Sequence, residues 1–432
     1  MNAVNIMAMR KLLWFVFLVC CGNAAIAQHF DEFFVDKTLR IHYIHNGDAR
    51  NEEFSVDSYH AGGKWNGTRK YLVDPFPYGN VRFDLYDSLT GQLIFTRYYS
   101  TLFDEYRTTE EAEKKMQSFE ECVLLPFPRR TVKYTFTSIS RIREMELKYA
   151  GYFNPMESGW QKFNKEYKVK NLHIGGKAEN CLDILFIPDG YAKSDKKKMV
   201  RDMKRFASYI TGCSPYKENT DRINIRAVLG YSDESGITDP NRKIFRNTLL
   251  NSRYNVLNVD RYLMCLHVWK MNEIADDAPY DAIVVICNSH KYGGGGIYNF
   301  YATVNSEHEK SAYVIVHELG HSIGGLGDEY FTSEVSVRDY YPEGAEPPEP
   351  NLTTLVHFEN KWKEEISDTI PVPTPAIKEY ENRIGVYEGG GYVAKGVYRP
   401  YQSCTMKDIK YNHFCPVCTK SLIKTFHYYS NQ

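Results

Sequence analysis

The sequence predicts two folded domains of different class, an antiparallel β-sandwich followed by an α/β domain. In the first part of the chain, apolar and polar residues alternate in short runs such as VRFDLYD, QLIFTRYYS and TVKYTFTSI. Later, the nearly continuous apolar run LDILFIPDGYA is followed by amphipathic, helix-like segments. Alternation is typical of strands with one buried face, and continuous apolar runs are typical of strands covered on both faces. We place the sandwich at residues 28–165 and the α/β domain at residues 166–432.

Residues 1–27 predict a secretory signal peptide. Arg10 and Lys11 precede the apolar run LLWFVFLVCC, and the small residues Ala25 and Ala27 stand at the expected cleavage point. That run is too short to cross a bilayer, and no later stretch reaches the roughly 18 apolar residues that a transmembrane helix needs. We therefore expect a secreted or extracytoplasmic chain, in the periplasm or at the cell surface, with no transmembrane segment.

Composition and charge limit the kinds of binding partner that we expect. The chain has 432 residues, is 43% hydrophobic, and carries 53 basic against 54 acidic residues, for a net charge of -1. A chain of this length has ample apolar material for a core. Because no segment concentrates basic residues beside aromatic ones, nucleic acid is not an expected partner. The sequence carries no signal for an oligomeric state.

Each predicted element follows from a local pattern. Within the sandwich, the charged segment TTEEAEKKMQSFEE predicts a helical insert. After the looser stretch 154–180, SDKKKMVRDMKRFASYI predicts a helix that begins at Ser194 as its N-cap. The strands INIRAVLGY and DAIVVICN flank the helix-like stretch VDRYLMCLHVWKMNEI. Strands that alternate with helices indicate an α/β layer.

The stretch HELGHSIGGLGDEY carries the strongest chemical signal. His317 and His321 are four residues apart, so a helix places both imidazoles on one face, where they can bind one Zn²⁺. Glu318 is rotated away from the pair and can hold a water molecule at the metal. The apolar residues before and between the histidines predict that helix. They favour a site for one catalytic zinc ion over an ordinary surface helix whose histidines bind no metal.

The third zinc ligand is less directly specified. Gly324 allows the chain to turn sharply out of the helix and return towards the metal. The usual position of a ligand after such a turn is occupied by Gly327, which has no side chain to bind with. Asp328 follows one residue later and can supply a carboxylate oxygen. We predict Asp328 as the third ligand, with Glu329 or a distant side chain as alternatives.

Flanking segments suggest how the site is completed. The glycines Gly293 to Gly296 precede a short apolar run, and they fit equally an edge strand that holds an extended peptide and a flexible loop. Downstream, Met406 lies in an irregular, aromatic-rich segment and can form a hydrophobic floor under a zinc site, although an isolated Met is usually core.

Three cysteines close to the C-terminus allow several interpretations. Cys404, Cys415 and Cys418, together with His413, fit a disulfide with one spare thiol, a small structural zinc cluster or a redox CxxC pair. We predict the disulfide, because an exported chain meets oxidising conditions and CPVC is not expected to open a helix.

Together these motifs resemble those of the IgA metallopeptidase (igalysin) family of metzincin zinc peptidases. The likeness is carried by HELGHSIGGLGDEY, LDILFIPDGYA, GGGGIYNFYATV and YRPYQSCTM with FCPVC. It extends from about Cys181 to the C-terminus, and the preceding region resembles the amino-terminal domain of the same family. The resemblance implies a metzincin-like zinc peptidase domain at residues 166–432.

The resemblance also implies roles for individual residues. His317 and His321 would be zinc ligands, Glu318 the general base and Met406 the Met-turn residue. This sequence departs from the broader metzincin pattern because it lacks the third histidine, and a carboxylate at Asp328 suits the family.

The predicted function is therefore that of an exported zinc-dependent endopeptidase. A zinc-activated water would hydrolyse peptide bonds, with Glu318 as the general base. The expected substrates are proteins or peptides, with host glycoproteins or immunoglobulins among the candidates. The alternative is a non-catalytic glycan- or protein-binding surface protein that retains a zinc helix, and an intact Glu318 argues against it.

Overall fold

A computed structural model gives the arrangement of the chain. It describes residues 30–157, 159–162, 164–331, 341–342 and 344–431. The predicted signal peptide lies outside the described residues.

The N-terminal part of the chain forms two four-stranded sheets. Their strand orders are β5-β1-β2-β8 and β4-β3-β6-β7, and every pair is antiparallel except the short parallel pair β2 and β8. The bounds are α1 Phe30–Phe33, β1 Phe34–Gly47, β2 Glu52–Ala61, β3 Val81–Asp87, β4 Leu93–Tyr99, α2 Leu102–Tyr106, β5 Gln117–Pro128, β6 Val132–Ile139, β7 Met145–Phe153 and β8 Gln161–Lys162.

One aromatic-rich core joins these two sheets. Tyr43 and Phe54 from the first sheet pack with Phe83 and Phe136 from the second. The hydroxyl groups of Tyr43 and Tyr99, one from each sheet, are 2.7 Å apart and hydrogen-bonded within this core. The alternating pattern of the sequence therefore places large aromatic side chains between the sheets, where each removes much apolar surface from water.

The second part of the chain is built on a six-stranded mixed sheet with the order β13-β14-β12-β10-β11-β9. Its four central strands are parallel, and the edge strands β9 and β13 are antiparallel to their neighbours. The bounds are β9 Val169–Ile174, β10 Leu182–Asp189, α3 Lys196–Thr211, β11 Ile223–Val228, α4 Val268–Ala275, β12 Ala282–Cys287, β13 Gly294–Ile297, β14 Tyr301–Asn305 and α5 Ser311–Ser322. The chain ends with β15 Tyr387–Gly390, β16 Val393–Arg399 and α6 Pro416–Tyr429.

Helices and loops cover both faces of this sheet. Ile184 and Phe186 of β10 contribute to the core that contains α3, α5 and α6, whereas Leu185 and Ile187 contribute to the core on the other face with α4. All eight residues of β10 are buried, as the continuous apolar run predicts.

Three predicted helices are absent, begin at another residue or are shorter than predicted. The charged segment 108–121 forms turns and then enters strand β5, because pairing with β1 outweighs its helical propensity. Helix α3 begins at Lys196 after a single 3-10 turn, so Ser194 is not its N-cap. Of the segment 259–274, only the part from Val268 onwards is helical.

The two sheet systems are joined by a buried ion pair. Arg40 of β1 donates to Asp276 Oδ2, 2.7 Å away, and to the carbonyl oxygen of Asn272 at 2.9 Å. Both charged side chains are almost fully buried, so removal of one partner would leave an uncompensated charge. None of the described helices is both long enough and apolar enough to cross a membrane.

Candidate metal and active site

Helix α5 presents the two histidines of the HELGH motif to one cleft. Its buried residues Val314, Ile315 and Leu319 face the core, so the adjacent helix face carries His317 and His321. The Nε2 atoms of the two imidazoles are 3.2 Å apart. The four-residue spacing therefore brings the two rings together as the sequence predicts.

Backbone carbonyl groups fix the orientation of both rings. His317 Nδ1 lies 3.0 Å from the carbonyl oxygen of Thr405, and His321 Nδ1 lies 2.6 Å from that of Leu326. Since a carbonyl oxygen only accepts, each Nδ1 carries the proton in these contacts. Each Nε2 is then left with a free lone pair that points into the cleft, the arrangement found in metal-binding histidines.

Asp328 completes a group of three acceptors. The chain leaves α5 through Gly325, which adopts a left-handed φ of +61°. Asp328 Oδ1 lies 3.1 Å from His317 Nε2 and 3.3 Å from His321 Nε2. It is buried without a hydrogen bond, whereas Oδ2 accepts from the Tyr392 hydroxyl at 2.6 Å. Of the two sequence alternatives, Asp328 faces the histidines.

The electrostatics of this trio favour a positive charge between its atoms. Burial alone would raise the pKa of Asp328, but the two histidines hold it well below its usual range. Burial also opposes the charged form of His321, yet Asp328 and Glu318 raise its pKa to about 9. A metal cation would supply the same charge without a proton on Nε2.

The geometry of the trio fits zinc. Ligand atoms about 2.0–2.1 Å from a tetrahedral Zn²⁺ are separated by roughly 3.3 Å, close to the three separations between His317, His321 and Asp328. The buried Asp328 Oδ1 is the further observation in favour of a cation. It accepts no hydrogen bond from a described residue, because the two Nε2 atoms that face it carry no proton when each Nδ1 does.

Glu318 lies beside this trio in the same cleft. Burial raises the pKa of its carboxyl group above the ordinary value, and Asp328 adds to this, although the two histidines oppose it. A carboxyl with a raised pKa can accept and return a proton nearer to neutral pH than an ordinary glutamate.

The glycine-rich segment forms the edge strand β13, not a loop. Gly294, Gly295 and Gly296 line the cleft, and β13 pairs only with β14 among the described strands. A Cβ atom at Gly296 would lie 2.5 Å from the carbonyl oxygen of Glu318. Glycine therefore lets a strand edge approach the active-site helix closely.

Met406 lies directly beneath α5. Its side chain is fully buried, and a Cβ atom at Gly320 would lie only 2.6 Å from its sulfur. The carbonyl group of the preceding Thr405 orients His317, and the carbonyl oxygen of Met406 accepts from the backbone N–H of Glu329 at 2.8 Å. This turn therefore supports both the helix and the loop that carries Asp328. It lies at the position for which the sequence predicts a Met-turn.

The predicted disulfide is not formed in the structure. Cys404, Cys415 and Cys418 are all free, and Cys404 Sγ lies 3.8 Å from Cys418 Sγ, far beyond the roughly 2.05 Å of a disulfide bond. Contrary to the prediction, CPVC does open a helix, with Cys415 as N-cap of α6 and Pro416 in its first turn.

The residues around these thiols also differ from the prediction. His413 is exposed and takes no part in the cluster, and Glu329 takes its place. Glu329 therefore points away from the histidines and towards the thiols.

Sequence reasoning missed the residues that reach the cleft from distant parts of the chain. Thr101, Asp104 and Glu105 line it from the N-terminal region, and Glu105 Oε2 accepts from the Tyr262 hydroxyl at 2.7 Å. Tyr392 holds Asp328 from 64 positions away. No local pattern marks these residues, because their roles depend on long-range packing.

Comparison with known families agrees with this organisation. A family model described as IgA Peptidase M64 matches residues 171–383 and 376–426, and one described as Peptidase M64 N-terminus matches residues 29–150. No curated protein matches the chain. The chain is thus a peptidase, a hydrolase of peptide bonds in proteins or peptides. It belongs to the IgA Peptidase M64 family, which confirms the resemblance and a two-region organisation, whereas the sandwich and metzincin assignments stay predictions.

Proposed function

We propose that this peptidase is a zinc-dependent endopeptidase. The observation that carries the proposal is the convergence of three acceptor atoms, the Nε2 atoms of His317 and His321 and Oδ1 of Asp328. Three protein ligands leave one position of a tetrahedral ion open, which is typical of catalytic zinc. A zinc ion bound there would polarise the scissile carbonyl group and make a water molecule acidic enough to attack near neutral pH.

In this proposal Glu318 is the general base. It lies in the cleft beside the three ligands, and its pKa is raised by burial. It takes a proton from the attacking water and returns it to the nitrogen of the leaving amine. Glutamine at this position would keep the shape of the side chain but could not move the proton.

The shape of the cleft supports cleavage within extended polypeptides. Gly294 already pairs with the chain at Tyr262, and its carbonyl oxygen accepts from the N–H of Leu263 at 3.4 Å. The following part of the β13 edge, up to Ile297, can pair with a substrate main chain, as in β-augmentation. Such pairing recognises the backbone and needs no chain terminus, so internal bonds of many sequences are accessible. We propose Gly295 and Gly296 as residues that hold the substrate.

The decisive experiment compares the wild type with Glu318→Gln on a library of denatured proteins, with cleavage sites mapped by mass spectrometry. We expect internal cleavages by the wild type and none by Glu318→Gln. Glu309→Gln is the matched control, because Glu309 is exposed just before the same helix and should leave cleavage unchanged. Equal cleavage by Glu318→Gln and the wild type would contradict the general-base role.

Metal dependence is tested separately with a chelator. Removal of the metal should abolish cleavage, and added Zn²⁺ should restore it in the wild type but not in His317→Ala. A binding protein that only retains a zinc helix would cleave nothing under any of these conditions, which would overturn the proposal.

We also propose that the chain is exported and acts outside the cytoplasm. The basic and apolar pattern of residues 1–27 supports this. Cell fractionation and N-terminal sequencing should find a chain that begins at Gln28 outside the cytoplasm. A cytoplasmic chain with an intact N-terminus would contradict export.

A further inference from the structure

A second cluster of metal-binding side chains lies in the interior beside the catalytic cleft. Cys404, Cys415, Cys418 and Glu329 are all completely buried. One ligand atom from each lies within 4.8 Å of every other. None of these residues belongs to the trio of His317, His321 and Asp328, so the two clusters share no ligand.

Three separate segments bring these residues together. Cys415 and Cys418 stand on the first turn of α6, where Cys415 is the N-cap. Cys404 precedes the turn that contains Met406, and Glu329 follows Asp328 directly. Three thiols and one carboxylate from three segments of the chain therefore meet at one point in the interior.

The distances between these atoms match a metal site better than a disulfide. Sulfur atoms about 2.3 Å from a tetrahedral zinc ion are separated by roughly 3.8 Å. Cys404 Sγ and Cys418 Sγ are 3.8 Å apart, and Cys418 Sγ lies 3.2 Å from Glu329 Oε1.

Backbone amides are oriented to stabilise thiolates. The N–H of Cys415 donates to Cys404 Sγ at 3.3 Å, and that of Cys418 donates to Cys415 Sγ at 3.5 Å. Donors of this kind favour the ionised sulfur that binds a metal. The N-terminus of α6, on which two of the cysteines lie, favours negative charge in the same way.

Glu329 provides the independent sign that a cation is expected. Its Oε1 accepts from Asn351 Nδ2 at 2.9 Å, but its Oε2 is buried and makes no hydrogen bond with any described residue. None of the ion pairs among the described residues includes Glu329. A fully buried carboxylate in this state is costly unless it takes up a proton or binds a cation, and the neighbouring thiols are the ligands that a metal cation would share with it.

A third group of side chains lies close together but does not have the features of a metal site. His42, His60 and Glu273 also lie close together. However, Arg40 Nε donates to His42 Nε2 at 2.8 Å. The guanidinium therefore occupies the lone pair and places a positive charge where a metal would lie, so these residues form a polar contact and not a metal site.

We propose that Cys404, Cys415, Cys418 and Glu329 bind a second, structural zinc ion. Four protein ligands close the coordination sphere and leave no position for substrate, which is typical of structural zinc. The ion would join the loop after Asp328, the turn at Met406 and the start of α6. It would thereby hold in place the carbonyl group of Thr405, which orients His317, and the backbone of Asp328.

The test is the metal content of the purified full chain, prepared without reductant and measured by mass spectrometry of the metals. We expect two zinc ions per chain in the wild type and one in His317→Ala/His321→Ala. We also expect one in Cys404→Ser/Cys418→Ser and two in the matched control Cys213→Ser, which removes a buried thiol that is not one of the four clustered ligands. A thiol-bound ion that persists without the histidines separates this proposal from the catalytic one.

Two measurements on proteins with intact cysteines keep the proposal testable if the serine variants do not fold. A mercurial reagent should release one zinc ion from His317→Ala/His321→Ala. The same variant loaded with Co²⁺ should show a thiolate-to-cobalt charge-transfer band. The proposal would be overturned if no zinc were released or if that band were absent. It would also be overturned by an intact mass two hydrogens lower than that of the free-thiol chain, because this would reveal a disulfide.

Discussion

His317 Nδ1 lies 3.0 Å from the carbonyl oxygen of Thr405, a residue 88 positions further along the chain. The Tyr313 hydroxyl donates to the same carbonyl oxygen at 2.8 Å, one helical turn before His317. The orientation of the imidazole that we propose as a zinc ligand thus depends on a turn from the C-terminal part of the chain.

Tyr313→Phe tests this support. The loss of one hydrogen bond at the carbonyl group of Thr405 should loosen the His317 ring and weaken zinc binding about tenfold, as substitutions next to metal ligands do. Competition with a chromophoric chelator measures that affinity. Tyr209→Phe, a half-buried tyrosine on α3, is the control. Equal affinities of all three proteins would show that the hydroxyl of Tyr313 does not support the ligand.

Substitutions at the two neighbouring carboxylates should separate their roles. Asp328→Asn removes the charge between the histidines, so we expect cleavage to fall on the order of 100-fold or more, at least as much as for a residue that only supports a ligand. Glu329→Gln should keep the ion bound by the histidines, because its side chain faces the thiols. Rates of peptide cleavage and metal content measure both effects. The reverse outcome, with cleavage lost only in Glu329→Gln, would assign the third catalytic ligand to Glu329.

Gly296→Val should disrupt the contact between β13 and α5. The added side chain would meet the carbonyl oxygen of Glu318 at 2.5 Å and Cβ of His321 at 3.1 Å. We expect overpacking to lower the free energy of unfolding by about 1–3 kcal/mol and to impair cleavage. Denaturant unfolding and peptide assays measure the two effects. Gly63→Ala is the control, since the nearest atom to its Cβ would be 3.6 Å away; equal stability of the two variants would argue against the close contact.

Glu52 should make the stability of the N-terminal region depend on pH. Burial alone would raise its pKa, but hydrogen bonding and attraction from His45, with Arg107 at 3.0 Å, lower it to about 2 from 4.5. The folded pKa lies below the unfolded value, so this stabilisation is present above pH 4.5 and is lost as the pH falls to about 2. The shift corresponds to about 3 kcal/mol.

Glu52→Gln is therefore expected to lower the free energy of unfolding at pH 6 by about 3 kcal/mol, and the difference from the wild type should vanish near pH 2. Denaturant titrations across this range measure the difference. Glu53→Gln, on the neighbouring exposed side chain, is the control and should have no such pH dependence. A difference between Glu52→Gln and the wild type that stays constant with pH would contradict the assignment.

The sequence predicts the features that depend on local spacing. Helix α5, the adjacency of His317 and His321, and the buried strand β10 all follow from residues within one or two turns of each other. The turn after the helix correctly suggests that Asp328 comes back towards the histidines. These predictions need only the geometry of a helix, a strand and a glycine.

The features that local pattern could not predict depend on packing between distant segments. Asp328 and Glu329 are neighbours in the chain, but their side chains point to different clusters. The direction of each side chain depends on its distant partner, Tyr392 for Asp328 and the thiol of Cys418 for Glu329. The segment that ends at Glu121 has the composition of a charged helix. Its last residues instead pair with β1, for example Glu121 with Tyr43, and no local pattern shows a partner so distant in the sequence. The disulfide prediction failed because the spacing of cysteines does not give the distance between sulfur atoms.

The wall that Thr101, Asp104 and Glu105 add to the cleft has a practical consequence for recombinant work. A gene truncated to the segment that matches the peptidase family, residues 171–426, would encode every proposed zinc ligand. It would nevertheless lack one side of the substrate channel, and it would leave Asp276 without Arg40, its partner at 2.7 Å. Expression of the minimal catalytic segment is thus expected to yield a protein with impaired solubility and selectivity, and inhibitor screens are best run on a protein that also contains the N-terminal region.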